Sequence, residues 1–214
     1  MTEARYNMYR DAHKGLRLLL SELVERAGHT DYASRAELAR LREETQAAFG
    51  LLMSHAQHEH AFYGALLEQH CPGLAAAMEA DHDDHESDLI DLACLLSDID
   101  AEAPDASIRG HDFGLRLARA VAALFVHMSD EEQQVLPALW QKLSDAALQA
   151  VNARLIASIA ASERPAWLRL MLRALSHPER LALLGRMREA MIPAAFEAAL
   201  AAASLGLGTG SGSP

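Results

Sequence analysis

The chain has few cysteines, few aromatic residues and a deficit of positive charge. Of its 214 residues, two are cysteines, 5% are aromatic, and 19 are Lys or Arg against 30 Asp or Glu. Cys71 and Cys94 stand alone without CxxC spacing, which argues against a disulfide framework and a thiolate zinc site. The formal charge of -11 argues against nucleic acid and anionic membranes as partners, because binding to either begins with clustered Lys and Arg.

Long apolar runs and the common catalytic signatures are also missing. The N-terminal MTEARYNMYR has no apolar segment of the kind found in signal peptides, and no later stretch of about 18 uncharged apolar residues could span a bilayer. We therefore expect a cytoplasmic protein that does not insert into a membrane. The sequence contains no GxSxG, no Walker-type glycine loop and no dinucleotide fingerprint, so hydrolase and nucleotide-dependent functions have no support.

What the sequence does contain is a series of helical patterns. Half of the residues are apolar, and much of this is alanine and leucine without strand-forming runs, which predicts an all-α protein. Breaks at 28–31, 71–73 and 100–105 separate four amphipathic segments. Because short loops join long helices, the pattern predicts an up-down-up-down four-helix bundle. The four predicted helices span 4–27, 34–69, 74–98 and 106–143.

Shorter helical segments follow the predicted bundle. They are expected over 145–161, 165–175, 178–190 and 193–204, and the last residues form a Gly/Ser-rich stretch that needs no structure. The predicted organisation is thus a bundle over 1–143, a C-terminal helical extension over 144–205, and a disordered tail over 206–214.

Histidines lie inside the apolar stripes of the first two predicted helices. His13 follows Tyr9 by four residues and precedes Leu16 by three, so all three face the same side of the helix. In HAQHEHAFYGALLEQH, the second helix places His55 and Glu59 one turn apart on its apolar face. A His-x-x-x-Glu pair is therefore expected to point into the bundle.

The third and fourth predicted helices repeat this pattern. His82 belongs to a three-four stripe with Leu89, and His127 belongs to one with Leu124. Glu131 follows His127 by four residues, which gives a second His-x-x-x-Glu pair. One inward histidine would usually be a satisfied core residue. One on each of four helices, with two inward carboxylates, is better explained by a metal.

The physical reason is the free energy of burying charge. Moving carboxylates into a core without a compensating ion costs several kcal/mol each, about as much as a small domain's entire stability. Imidazole and carboxylate without thiolate suit iron, manganese or zinc, and carboxylates from opposite helices can bridge two ions. A dinuclear site is therefore expected, with iron preferred and manganese or zinc as alternatives.

With these residues placed, residues 1–143 resemble the hemerythrin-like (HHE cation-binding) family, whose members are four-helix bundles with a non-haem di-iron centre. The matching motifs are DAHKGLR, HAQHE, EADH and HMSDEEQQVLP. The resemblance implies four terminal histidines and two bridging carboxylates. These are His13, His55, His82 and His127, with Glu59 and Glu131. The C-terminal segment looks like a helical extension found on some bacterial members.

Five further residues are candidates for a ligand or an outer hydrogen-bond partner. Oxygen-carrying members have a second histidine on the third helix where this chain has Glu86, while His85 comes one residue early. Those members also use the position of Glu132, although the angle to His127 favours Glu131. His58 lies about 60° around the helix from His55, so it faces the core or its edge. Asp81 could orient a neighbouring histidine.

Three functions remain open at this point. The first is a module that binds or senses oxygen or iron, with Phe62 and Leu66 as a dry wall beside the site. The second is a di-iron oxidoreductase acting on peroxide, nitric oxide or a small organic substrate, favoured by Glu86 in place of a fifth histidine. The third is a metal-free scaffold. We also expect a protein partner or a homo-oligomer through the C-terminal helices.

Overall fold

The fold is described from a computed structural model of residues 5–204, so the predicted tail at 206–214 lies outside the described residues. The ten α-helices of this part of the chain are joined by short loops or by π-helical turns. They are α1 (Arg10–His29), α2 (Arg35–Glu59), α3 (Ala65–His70), α4 (Pro72–Ser97), α5 (Ala106–Asp130), α6 (Leu136–Trp140), α7 (Asp145–Ser158), α8 (Arg164–Ala174), α9 (His177–Ala190) and α10 (Pro193–Ser204).

Helices α1, α2, α4 and α5 form the four-helix bundle that the sequence predicts. Helix α1 contacts α2 and α5, and α4 contacts the same two helices, so each helix packs on two neighbours. The loop between α1 and α2 is held down by Tyr32, whose hydroxyl donates a hydrogen bond to the carbonyl of Ala27 at 3.0 Å. Gly110 on α5 leaves room for this ring, because a Cβ there would lie 2.2 Å from it.

The first helix begins later than the sequence pattern predicts, at Arg10 instead of residue 4. The side-chain oxygen of Asn7 accepts hydrogen bonds from the backbone N–H groups of Tyr9 and Arg10, both at 2.9 Å. This satisfies two of the free donors at the helix start. Arg5, just upstream, turns away and donates to Asp145 at the start of α7. The prediction of helix over residues 5–9 is therefore wrong.

Two π-helical turns interrupt the bundle helices. His60–Gly64 joins α2 to α3, and Glu131–Val135 joins α5 to α6. A π turn holds one more residue than an α turn, so the side chains that follow change their face of the helix. Both turns start at or directly after a glutamate of a His-x-x-x-Glu pair, which places the irregular backbone at the candidate site.

The extension packs against the bundle. Helix α8 lies along α1, α10 covers α8, and α7 touches the π turn at His60–Gly64. Ser144 caps α7 by accepting a hydrogen bond from the N–H of Ala147. Ser176 and Glu179 form a capping box at the start of α9. No helix within residues 5–204 combines the length and apolarity needed to cross a bilayer.

The core consists of two apolar clusters with a polar layer between them. Leu16 and Leu124 belong to the larger cluster, while Tyr9 and Val135 belong to the smaller one. On α1, His13 comes between Tyr9 and Leu16, and its side chain is fully buried. The histidines and glutamates of the other bundle helices occupy the corresponding positions. The polar layer is thus enclosed above and below by apolar side chains.

Candidate metal centre

Six side chains of the polar layer form two groups of three. Each group contains two histidines and one glutamate, whose ligand atoms lie within 4.8 Å of one another. We call them the first triad and the second triad. The first triad is His13, His55 and Glu59; the second triad is His82, His127 and Glu131. The structure therefore brings together all six of the residues that the resemblance assigns to the centre.

Glu59 faces both triads. Its Oε1 lies 3.1 Å from Nε2 of His55 and 3.6 Å from Nε2 of His13. Its Oε2 lies 3.7 Å from Nε2 of His82, which belongs to the second triad. The two oxygens of one carboxylate are thus directed to two different groups of ligand atoms, as a bridging carboxylate requires.

Glu131 repeats this arrangement from the opposite side. Its Oε1 lies 3.7 Å from Nε2 of His127, and its Oε2 lies 3.3 Å from Nε2 of His13. Nε2 of His127 also lies 2.9 Å from Nε2 of His82, a distance between two lone-pair-bearing nitrogens that suits a shared cation or proton. Each glutamate therefore contacts at least one histidine of its own triad and one of the other.

The donor atoms of this layer lack protein partners that would satisfy them. Nε2 of His13, Nε2 of His55, both oxygens of Glu59 and Oε2 of Glu131 are buried without a hydrogen bond. Buried polar atoms in folded proteins are nearly always paired. Five unpaired atoms that converge on one another, all of them nitrogen or oxygen, fit metal ions held between the two triads.

Burial and charge prepare these groups for a cation. Burial lowers the pKa of His55 and His127 to about 4 each, so both imidazoles are neutral near pH 7 with a free lone pair. Burial opposes ionisation of Glu59, but interaction with the neighbouring imidazoles of His55, His13 and His82 holds its pKa well below the ordinary value. Burial and the charge of Glu59 raise the pKa of Glu131. A cation would remove this repulsion.

His13 is oriented from behind by Glu132. Nδ1 of His13 lies 3.1 Å from the Glu132 carboxylate, which also binds Arg17 at 2.9 Å and Asn7 at 3.1 Å. Burial opposes ionisation of Glu132, but its hydrogen bonds with His13, Arg17 and Asn7 hold the pKa at about 2. The carboxylate is ionised near pH 7 and fixes a proton on Nδ1, which leaves Nε2 of His13 to face the triads.

The remaining candidates from the sequence lie at the edge of the centre. Nδ1 of His127 is 3.4 Å from Asp81. The half-buried ring of His85 lies 5.1 Å from that of His127, and its Nε2 is buried without a partner. Glu86 is exposed at the mouth of a cavity. His58 is turned away, because its Nδ1 lies 2.5 Å from the carbonyl oxygen of Ser54.

The predicted wall beside the site is wrong in register. Tyr63 and Leu67 are buried and face the cavity next to Glu59, whereas Phe62 and Leu66 are only half-buried. The cause is the π turn at His60–Gly64, whose additional residue rotates the following side chains to another face. No feature of the sequence distinguishes this turn from a continuous α-helix.

Two cavities reach the centre. One has a volume of about 320 Å³ and is lined by His55, Glu59, His82 and His127, together with His85 and Glu86. The other has a volume of about 270 Å³ and is lined by Tyr9, Tyr63, Met78 and both glutamates of the triads. A small molecule can therefore approach the ligand atoms without disrupting the bundle.

Comparison with known proteins agrees with this geometry. The family model described as the hemerythrin HHE cation binding domain matches residues 5–139. No curated protein and no solved structure matches the chain significantly. The matched region contains both triads and ends one residue before the end of α6, so the extension lies beyond it. The chain belongs to the hemerythrin HHE cation-binding domain family.

Proposed function

We propose that this protein holds a dinuclear non-haem iron centre and uses it to bind or sense oxygen. The observation that carries the proposal is the placement of the two carboxylates. Glu59 and Glu131 each direct one oxygen toward the first triad and the other oxygen toward the second. The four histidines approach from four helices. This arrangement supports two ions that share two bridging carboxylates.

The ligand set favours iron over other metals. Four imidazoles and two carboxylates provide nitrogen and oxygen donors without thiolate, which suits iron and leaves manganese and zinc as alternatives. When bound, iron supplies affinity for oxygen, peroxide and nitric oxide together with reversible one-electron chemistry. We propose one of these small molecules as the physiological ligand.

The protein's own residues then hold the centre and control access to it. Glu132 fixes the protonation of His13, and Tyr9 stacks on the same imidazole with ring centroids 5.1 Å apart. Tyr63 packs edge-on against Tyr9 at 5.2 Å and closes the smaller apolar cluster. These side chains narrow the smaller cavity, while the cavity of about 320 Å³ leaves a route for a small molecule.

A second candidate function is that of a di-iron oxidoreductase acting on peroxide, nitric oxide or a small organic substrate. The cavity of about 320 Å³ favours it, because this volume is at the lower end of those that accommodate small molecules. His82 at its wall is 18% exposed, so the second triad is reachable. Rapid consumption of peroxide by the iron-loaded protein would distinguish this function from reversible binding.

We also propose a binding surface and a cellular location for the protein. A protein partner or a second copy would bind through the C-terminal helices, where Leu181 is 58% and Ile192 is 71% exposed. A cytoplasmic location is supported by the two cysteines, which are free thiols in the structure.

The test is to count metal ions and to record an optical spectrum. We expect the full-length protein from iron-supplied cells to hold about two iron ions per chain, one for each triad. A charge-transfer band should appear on exposure of the reduced protein to air. In the variant with both His55→Ala and Glu59→Ala, metal and band should be lost.

His58→Ala is the matched control, because His58 lies between the two mutated residues but faces a backbone carbonyl. It should retain the metal and the band. Wild-type protein without metal, or a double variant that keeps its iron, would refute the proposed centre. Metal that is bound without any response to oxygen or peroxide would refute the oxygen function alone.

A further inference from the structure

Helix α8 of the extension docks beside the first triad. Gly15, two residues after His13, has no side chain to keep α8 away, and a Cβ there would lie 2.9 Å from Cγ of Leu170. Trp167 and Leu170 both belong to the larger apolar cluster of the bundle. The extension therefore contributes side chains to the same core that encloses the centre.

Trp167 packs directly against a histidine of the first triad. The ring centroids of Trp167 and His55 are 5.9 Å apart with the planes tilted by 48°. Only 7% of Trp167 is exposed, so packing fixes the position of its indole ring. His13 meets the same imidazole edge-on at 5.3 Å. His55 is thus held between a ring from α1 and a ring from the extension.

His55 differs from His13 in how its orientation is set. Histidines that bind metals usually donate their other ring N–H to a carboxylate, a carbonyl or water. Nδ1 of His13 has Glu132 as this partner at 3.1 Å. In the part of the chain that the structure describes, no hydrogen bond joins Nδ1 of His55 to a protein group. Packing against the rings of Trp167 and His13 then fixes the angle of this imidazole.

A hydrogen bond ties the start of α8 to the residue that precedes His55. The hydroxyl of Ser54 donates to the carboxylate of Glu163 at 2.8 Å, and Glu163 comes immediately before α8. Trp167 follows one turn later on the helix. The segment Ser54–His55 is therefore held by α8 at two successive positions.

We propose that Trp167 is a positioning residue for His55, so that helix α8 of the extension completes the first triad. The inference rests on the dinuclear centre proposed above and assigns a role to a segment outside the family match. Trp167 binds no metal itself, but it raises the metal affinity of the first triad by holding His55 in place.

The test measures binding of Fe²⁺ to the metal-free full-length protein by anaerobic dialysis, with Co²⁺ as an optical probe of coordination geometry. Trp167→Ala is combined with His82→Ala, which leaves the first triad as the remaining site. It is also combined with His13→Ala, which leaves the second triad. We expect Trp167→Ala to weaken binding at least about tenfold in the His82→Ala background, as loss of an outer partner typically does. In the His13→Ala background, Trp167→Ala should leave the affinity for Fe²⁺ unchanged.

Two variants separate positioning from general docking of α8. Trp167→Phe keeps a flat ring against His55 and should restore most of the affinity and the Co²⁺ spectrum. Leu168→Ala removes an equally buried side chain whose direction differs by about 100°, and it should leave the affinity unchanged. If Trp167→Ala fails to fold by circular dichroism, Trp167→Leu takes its place, because it keeps apolar volume without a flat ring.

Unchanged affinity of the first triad in Trp167→Ala would overturn the inference, and so would an equal loss in Leu168→Ala. Both results leave the metal centre intact as a proposal, because wild type still binds two ions. If wild-type protein binds no Fe²⁺ at all, the proposed function fails and the positioning role fails with it. The wild-type titration therefore separates the two failures.

Discussion

The first triad and the second triad contain the same residue types but stand in different surroundings. In the first triad, His13 is fully buried with an ionised carboxylate behind it, and His55 packs against a buried indole. In the second triad, His82 lies on the walls of both cavities and is 18% exposed. His55 is comparable at 16% and lines the larger cavity, so the two triads differ less in exposure than in the residues that support their histidines.

The outer carboxylates of the two triads differ in their distance from the histidine and in their exposure. Glu132 lies 3.1 Å from His13 and is held by Arg17 and Asn7, whereas Asp81 lies 3.4 Å from His127 with 47% of its side chain exposed. Outer hydrogen-bond partners orient metal ligands and raise affinity. The comparison teaches that residues of the same type can be held with different firmness, and we expect the first triad to retain an ion longer than the second.

The largest expected effect comes from removing a carboxylate that both triads share. Glu59→Ala deletes ligand atoms from both groups, so we expect both ions to be lost, with affinity reduced by more than about 100-fold. His82→Ala should remove only the ion of the second triad. Metal content per chain measured by mass spectrometry distinguishes the two.

The matched control for this prediction is Glu43→Ala, which removes an exposed carboxylate from the same helix. It should bind two ions like the wild type. If Glu59→Ala retained one ion at full affinity, Glu59 would belong to a single triad and the bridging arrangement would be wrong.

The next effect concerns the order in which a chelator removes the metal. We expect two phases when excess chelator is added to the Co²⁺-loaded protein, because the outer carboxylate of the second triad is more distant and more exposed than that of the first. The faster phase should disappear in His82→Ala, and the slower phase should remain. Time-resolved visible absorption gives both rates. A single phase, or a fast phase that survives in His82→Ala, would contradict the difference in support between the two triads.

Much of the fold and the inward placement of the histidines and glutamates could be predicted from helical spacing, because these features depend on local periodicity. His13 and Leu16 on one stripe, or His127 and Glu131 one turn apart, follow from 3.6 residues per turn. The same angle favoured Glu131 over Glu132. In the structure Glu131 faces both triads, and Glu132 lies behind His13.

The features that sequence reasoning missed depend on contacts distant in the chain or on irregular backbone. The π turn at His60–Gly64 places Tyr63 beside the site where continuous α-helix would place Phe62, and nothing in the composition of the sequence indicates this turn. The contact of Trp167 with His55 joins residues more than 100 positions apart, so no periodicity indicates it. Asn7 could have been recognised, since asparagine often caps a helix start.

A moderate effect is expected from neutralising the outer carboxylates one at a time. Glu132→Gln removes the charge that fixes Nδ1 of His13, so we expect the first triad to bind Fe²⁺ about 10- to 100-fold more weakly. Asp81→Asn should have a smaller effect on the second triad, because Asp81 is partly solvated and its contact with His127 is longer. Anaerobic titration of each variant measures both affinities. Equal losses of affinity in the two variants would contradict the proposed difference in how firmly the two triads are held.

The smallest effect is expected where the extension meets α1. Gly15→Ala places a methyl group 2.9 Å from Cγ of Leu170, an atom that cannot move without shifting the side chain on α8. Overpacking of this kind costs about 1–3 kcal/mol, against a gain of up to about 1 kcal/mol from replacing a helical glycine. The net loss of stability should lower Tm by a few degrees.

Gly28→Ala provides the matched control for this substitution, because it lies on the same helix with nothing within 4 Å of the added Cβ. Only the helix propensity acts there, so we expect Tm to rise slightly. The difference in Tm between the two variants therefore isolates the contact with α8. Since Gly15→Ala displaces α8 without removing Trp167, it should weaken the first triad less than Trp167→Ala does and leave the second unchanged. A larger loss at the second triad would mean that the extension stabilises the bundle as a whole.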